Sequence, residues 1–277
     1  MAQVESALLS LTGLGLLAAV VMHALALARM GEKQEAGSKR QETLHPASCI
    51  LHRASCILHR ASCILHRASC TLHPAGLGRA GTWASVAALT AALVVRGLRS
   101  WHWPFATAYE FALCFVWGTV VVYLLLEQWC RTRAAGAFVL SIALLLLAYA
   151  RFVMSPAARL AQPLLPSLRS IWFQLHVIPA VMAYGAFAVA GGAGVMALLA
   201  RRWPALEERL PPREAELMTT RAVAFGYPWM TAAMLFGAIW AQLAWGSYWS
   251  WDIKEVWALI VWLVYTLYLH AQALKGW

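Results

Sequence analysis

Residues 245 to 257 read WGSYWSWDIKEVW, placing four tryptophans, a tyrosine, an aspartate, a lysine and a glutamate between two long apolar runs. An aromatic belt at a membrane interface accounts for one or two of the tryptophans, since an indole ring is apolar while its N–H reaches water. It does not account for Asp252, Lys254 and Glu255 interleaved with Trp245, Tyr248, Trp249, Trp251 and Trp257 beside Gly246. A flat apolar face bordered by fixed charges suits a flat macrocycle with polar edge groups. Haem is one such ligand, because rings stack on it while a histidine holds its iron.

Four histidines lie in or beside apolar segments: His23, His102, His176 and His270. A histidine in a bilayer is costly, and it is either a functional group or a packing residue bonded to a neighbouring carbonyl. His176, in SIWFQLHVIPAVMAY, falls about one and a half turns into its apolar segment. His270, in WLVYTLYLHAQAL, follows Glu255 by fifteen residues, roughly 22 Å along a helix. The two imidazoles therefore lie at different depths and do not share one metal, an arrangement suited to a cargo that crosses the membrane. His23, in VVMHALAL, reads as packing, and His102, before Pro104, as a helix-entry residue. Glu110 lies one turn into an apolar segment and needs a partner or a proton.

The elements that position these groups follow from composition. Of 277 residues, 61% are hydrophobic and 12% charged, against about 25% charged in a soluble domain. Too little polar surface remains to coat a globule, so the chain is an integral membrane protein in contact with the lipid bilayer. Its +10 formal charge is spread between apolar segments rather than gathered on one face, which argues against a nucleic-acid partner. Seven apolar segments are long enough to cross, near 5–28, 82–99, 107–129, 134–152, 171–200, 223–244 and 255–274. The second is cut short by Arg96 and Arg99. The alternation of a membrane strand is absent, so the predicted fold is all-α, a polytopic transmembrane helical bundle. Most Lys and Arg between segments, including Arg131, Arg133, Arg201 and Arg202, fall on the side opposite the tryptophan loop. That asymmetry places the loop and the N-terminus outside.

The predicted organisation is a first span at 1–30, an inside loop at 31–81 and a membrane domain at 82–277. From Leu44 to Gly78 the loop carries a seven-residue repeat, LHRASCI, with His45, His52, His59, His66 and His73 beside Cys49, Cys56, Cys63 and Cys70. Each of these cysteines precedes a histidine by three positions, a spacing that can bind zinc. The repeats match at nearly every position, however, and not only at ligands, which points to tandem duplication and a loop without metal. A short helix between Pro46 and Pro74 fits the Ile-Leu content. Cys114 and Cys130 read as packing residues.

WGSYWSWDIKEVW, followed by the apolar run ending YLH, resembles the tryptophan-rich WWD signature of haem-handling membrane proteins. The Lys-Glu after the aspartate resembles the CcsA/ResC family, the haem-handling subunit of the System II cytochrome c synthase. SIWFQLHVIPAVMAYGAF resembles the family segment with an outward-facing ligand histidine, and RSWHWPFATAYEF its GH(F/W)P…N-x-Y-E segment, with Trp101 for Gly and Thr107 for Asn. The resemblance implies that His176 is an outer axial ligand to haem iron and that His270 is a membrane-embedded ligand. Trp245, Gly246, Tyr248, Trp249, Trp251, Asp252, Glu255 and Trp257 would form the surface that presents haem b to apocytochrome c for thioether formation. It also implies a CcsB/ResB-type partner subunit, a thiol reductant system and a haem–apocytochrome c ligase of which this chain is one subunit. Ile253 stands where the family has Pro, which alters loop stiffness more than chemistry. The family pattern continues into one more span bearing a second outer histidine, so a chain ending at Trp277 is expected to be truncated. A bacterial plasma membrane fits the Ala- and Arg-rich composition better than a thylakoid. Two other readings are a haem exporter or chaperone without ligation activity, and a non-haem transporter whose tryptophans only anchor it.

Overall fold

The computed structural model describes residues 1–41, 74–203 and 210–274, with side chains outside 30–41 and 74–75. The histidines and cysteines of the repeat, and the short helix expected between Pro46 and Pro74, lie outside the described residues. The described chain is helical: α1 Ala2–Gln41, α2 Pro74–Ser100, α3 Ala108–Cys130, α4 Gly136–Ala148, the short α5 Pro156–Arg159, α6 Ile171–Arg202, α7 Pro212–Trp245 and α8 Ile253–Leu274. A π-turn at Tyr149–Val153 extends α4, and a 3-10 turn at Pro166–Arg169 precedes α6. Seven of these helices are long and apolar enough to span a bilayer, as the hydropathy pattern predicts. Helix α1 runs beyond the predicted first span, and α2 begins at Pro74, within the stretch assigned to a loop.

The core gathers around α3, with Leu113, Val116, Val120, Tyr123, Leu124 and Leu126 packed against Leu16, Leu140 and Met196 of neighbouring helices. Helix α3 starts at a reciprocal cap: the Glu110 amide donates to Thr107 Oγ1, and Glu110 Oε2 accepts from the Thr107 amide, each at 3.2 Å. Helices α3 and α6 nearly touch at Gly118 and Gly185, where an added Cβ on Gly185 would lie 2.7 Å from the Gly118 carbonyl carbon. Close approach at small residues is how membrane helices gain packing when lipid is as apolar as the side chains.

Arg96 does not end α2. Its side chain is 2% exposed, because Nε donates to Glu110 Oε1 at 2.7 Å, and one terminal nitrogen donates to Glu5 Oε1 at 2.9 Å and to the Arg159 carbonyl at 3.0 Å. Glu5 also pairs with Arg99. The partner that Glu110 requires is thus Arg96, and the network ties α1, α2, α3 and the 154–170 connection together. With His102 Nε2 bonded to the Gln162 carbonyl at 2.9 Å and Trp240 Nε1 donating to the Ser167 carbonyl at 2.9 Å, it collects the start of α1 and the connections at 101–107, 154–170 and 246–252 at one end of the bundle, the tryptophan end.

Helix α8 has no buried residue. Three side-chain hydrogen bonds, each 2.9 Å, fasten it along α7: Trp262 to Thr231, Tyr227 with Thr266, and Thr220 with Tyr268. Tyr265 also stacks on Phe187 of α6 at 4.1 Å.

Candidate functional site

His176 projects from the second turn of α6 towards α7. Its Nδ1 is 2.8 Å from the Ala233 carbonyl oxygen. A carbonyl only accepts, so Nδ1 carries the proton and Nε2 keeps its lone pair, the form that binds a metal. Gly237, one turn beyond Ala233, lets the ring approach: a Cβ there would lie 2.7 Å from Nδ1. Trp240 lies over the imidazole at 6.0 Å and 18°. Trp240 is held in turn by Ser167, by Phe173 at 5.0 Å and by Trp245 at 4.8 Å.

A cavity of about 500 Å³ opens beside this ring, within the range of small-molecule sites. It is lined by His176, Tyr184, Met230, Met234, Gly237 and Trp240, and from the loop by Trp245, Tyr248, Trp249, Asp252, Lys254 and Glu255. The Trp249 indole nitrogen is buried and has no hydrogen-bond partner among the described residues. A buried donor of this kind calls for an acceptor. Trp249 meets Trp251 edge-to-face at 5.8 Å.

The loop owes its shape to two devices. Gly246 terminates α7 in the left-handed region, φ 81°, with its amide returning to the Gln242 carbonyl. Trp251 also takes a positive φ of 60°. The chain then enters α8 through a capping box: Glu255 N donates to Asp252 Oδ1 at 2.8 Å, while Glu255 Oε2 accepts from the Ser250 amide at 2.7 Å and the Asp252 amide at 3.3 Å. The bond from the Glu255 amide holds the Asp252 carboxyl below its ordinary pKa, with Lys254 adding to the effect. Ile253 occupies the first helical position, where Pro is favoured but not required.

Of the sequence-predicted residues, the fold brings His176, Trp245, Tyr248, Trp249, Asp252 and Glu255 to one cavity. Gly246 and Trp251 shape the loop without lining it, and Trp257 lies exposed on α8. His270 sits exposed near the far end of α8 and does not reach this cavity. Among the described residues no three His, Cys, Asp or Glu gather as a chelate.

The family model described as Cytochrome C assembly protein matches residues 105–277. The chain belongs to that family. It is 31% identical to the "Cytochrome c biogenesis protein CcsA" of Synechococcus elongatus over 249 residues, 73% of this chain and 77% of the relative. It is 36% identical to the protein of that name from Synechococcus sp. strain CC9311 over 224 residues, 69% and 73% of the two chains. With that of Chlamydomonas reinhardtii it shares 32% over 198 residues, 67% and 54% of the two chains.

For a cytochrome c assembly protein, the loop and His176 were legible in the sequence, but the residues that aim His176 were not. Ala233, Gly237 and Trp240 recur at helical spacing on one face of α7. The apolar composition of that stretch hides a carbonyl, a gap and a ring that act as a unit.

Proposed function

We propose that this chain binds haem as cargo in the cavity beside His176 and presents it at the tryptophan loop for covalent attachment to apocytochrome c. The observation that carries the reading is the hydrogen bond from His176 Nδ1 to the Ala233 carbonyl at 2.8 Å, which leaves Nε2 as a ligand inside an aromatic cavity. Trp240 fixes the plane of the imidazole. Trp245, Tyr248 and Trp249 supply flat apolar contact, the Trp249 N–H meets a polar edge group, and Lys254 is placed to meet a carboxylate. These groups hold the macrocycle so that its vinyl groups face the thiols of an incoming Cys-x-x-Cys-His segment, and orientation of this kind is the main contribution a protein makes to such an addition. The capping box of Asp252 and Glu255 holds the loop in shape and is not a source of chemistry.

Haem b is the cargo in this reading. The iron is kept reduced and capped by imidazole, the loop faces outward, and the membrane is a bacterial plasma membrane. A CcsB/ResB-type partner and a thiol reductant complete the ligase. His270 serves as a separate ligand deeper in the bilayer, independent of the His176 cavity. Trp251 and Trp257, exposed on the same end, offer the apocytochrome an apolar landing surface.

The test is the reduced-minus-oxidised optical spectrum of the purified chain, with a pyridine haemochrome assay and a thioether assay in the presence of the partner. Haem b bound through His176, with thioether formed, is the expected outcome. Bound haem without thioether under those conditions would leave the exporter or chaperone reading. An absence of haem from both the chain and its complex with the partner would overturn the proposal.

A further inference from the structure

A second cavity, of about 730 Å³, lies on the other side of Phe173 and is not used in haem presentation. It is a slot between two helices that seat elsewhere: α2 packs on α1, and α6 packs on α3 and α7. Thr90, Leu93, Val94 and Leu98 of α2 form one wall. Gln174, Ile178 and Met182 of α6 form the other, and Trp117 of α3 lies between them. Steps of three and four residues put each series on one helical face. Leu98 and Gln174 mark the end of the slot nearest the tryptophan loop, and Thr90 and Met182 mark its depth. Eight residues at the helical rise make that depth about 12 Å, directed along the helices as lipid chains are.

The slot is polar at one end only. In its depth, Thr90 Oγ1 donates to the Val86 carbonyl at 2.7 Å and accepts from Trp117 Nε1 at 2.8 Å. Cys114 Sγ donates to the Pro104 carbonyl at 3.5 Å. Both ring nitrogens of His102 lie against carbonyl oxygens, that of Trp103 at 2.7 Å and that of Gln162 at 2.9 Å. The lining groups that keep an N–H to give are Arg169, Gln174 and the indoles of Trp101 and Trp103, all at the tryptophan end. Arg169 is exposed and pairs with no carboxylate among the described residues. Glu5 and Glu110, at the same end, are taken by Arg96 and Arg99.

We propose that the slot holds one acyl chain of an anionic phospholipid, with the lipid phosphate set against Arg169 and Gln174. The apolar depth rejects a ligand that carries polar groups along its length, and the unpaired cation at the mouth selects a negative head. Trp101 and Trp103, both exposed, stand where indoles meet the head-group layer. A chain seated here packs against Phe173 and Leu168, which line this slot and the His176 cavity alike. The Phe173 ring lies 5.0 Å from Trp240, the ring over the His176 imidazole. The lipid thereby backs the wall of the neighbouring cavity. The site is independent of the haem reading.

The experiment places the full chain in nanodiscs of phosphatidylcholine doped with phosphatidylglycerol, and native mass spectrometry identifies the lipid each chain retains on release. The expected result is one retained phosphatidylglycerol, enriched roughly fivefold over its share of the bilayer, the scale set by one arginine beside an anionic head group. Arg169→Gln is expected to abolish the enrichment, and Arg169→Lys to keep most of it. Ile178 is half-exposed in the slot, so Ile178→Trp is tolerated and is expected to expel the chain. Leu145→Trp, on the exposed surface of α4, is expected to leave retention unchanged. No enrichment in the unaltered chain would overturn the proposal, and so would a retained lipid that survives Ile178→Trp. The comparison of the two lipids on the unaltered chain decides the matter even where a variant fails to fold.

Discussion

Asp252 and Glu255 cap one another: the Glu255 amide donates to Asp252 Oδ1 at 2.8 Å, and Glu255 Oε2 accepts from the Asp252 amide at 3.3 Å and the Ser250 amide at 2.7 Å. Loss of a cap of this kind frays the first turn of the helix it starts. Asp252→Ala is therefore expected to raise amide exchange across 247–257 and to lower haem content. Asp252→Asn keeps an acceptor and is expected to retain most of both. Equal loss in the two variants would mean that the charge of Asp252, and not its capping bond, is what the loop needs.

The same bond sets a pH dependence. The native Asp252 carboxyl titrates below its ordinary value of 3.8, so the folded loop favours the ionised form. Its contribution is full above that ordinary value and is lost as pH falls through the lowered one. Loop amide protection is expected to stay flat from pH 7 to 5 and to decline only in stronger acid. Asp252→Asn should flatten that decline.

Gly237 controls His176 through space. A Cβ there would lie 2.7 Å from Nδ1, so Gly237→Ala must push the ring off the Ala233 carbonyl. Disturbing the group that orients a metal ligand typically costs roughly 10–100-fold in affinity. Haem titration should report a loss of that order together with a changed axial-ligand spectrum. Gly191→Ala, where an added Cβ meets nothing within 4 Å, serves as the control and should bind as the unaltered chain does.

His176 and His270 share no partner and no cavity. Their alanine variants should therefore combine additively, to within about 0.5 kcal/mol in haem-binding free energy. A large departure would place both imidazoles on one haem.

Arg96 is the keystone of the tryptophan end. Removing one member of a buried ion pair leaves an uncompensated charge and costs about 3–5 kcal/mol. Arg96→Met should sharply lower thermal stability in detergent. Adding Glu5→Gln and Glu110→Gln should restore part of the loss.

How much of this was legible depended on whether a signal is carried by composition or by distance. The seven spans follow from apolar runs long enough to cross a bilayer, and they reappear as helices. The tryptophan loop follows from a dense local pattern. Arg96 misled because a charge in an apolar run reads as a boundary, whereas Glu5 and Glu110 reach it from helices far along the chain. Asp252 and Glu255 read as the charged rim of an aromatic surface, and that they also cap α8 shows only in the hydrogen bonds, because a capping box and the rim of a binding surface can use the same residue types. Gly237 left no trace, since nothing in a sequence says which carbonyl a distant histidine will find.

Helix α8 buries no residue and is fastened to α7 by three side-chain hydrogen bonds, while its capping box locks residues 250 to 255 onto its own first turn. Mechanically, the capping box makes residues 250 to 255 a continuation of α8. A displaced α8 would carry Asp252 and Glu255, both of which line the cavity beside His176, with it. The rim of the site is therefore tied to the seat of α8 on α7 and α6, some way along the helix from the loop.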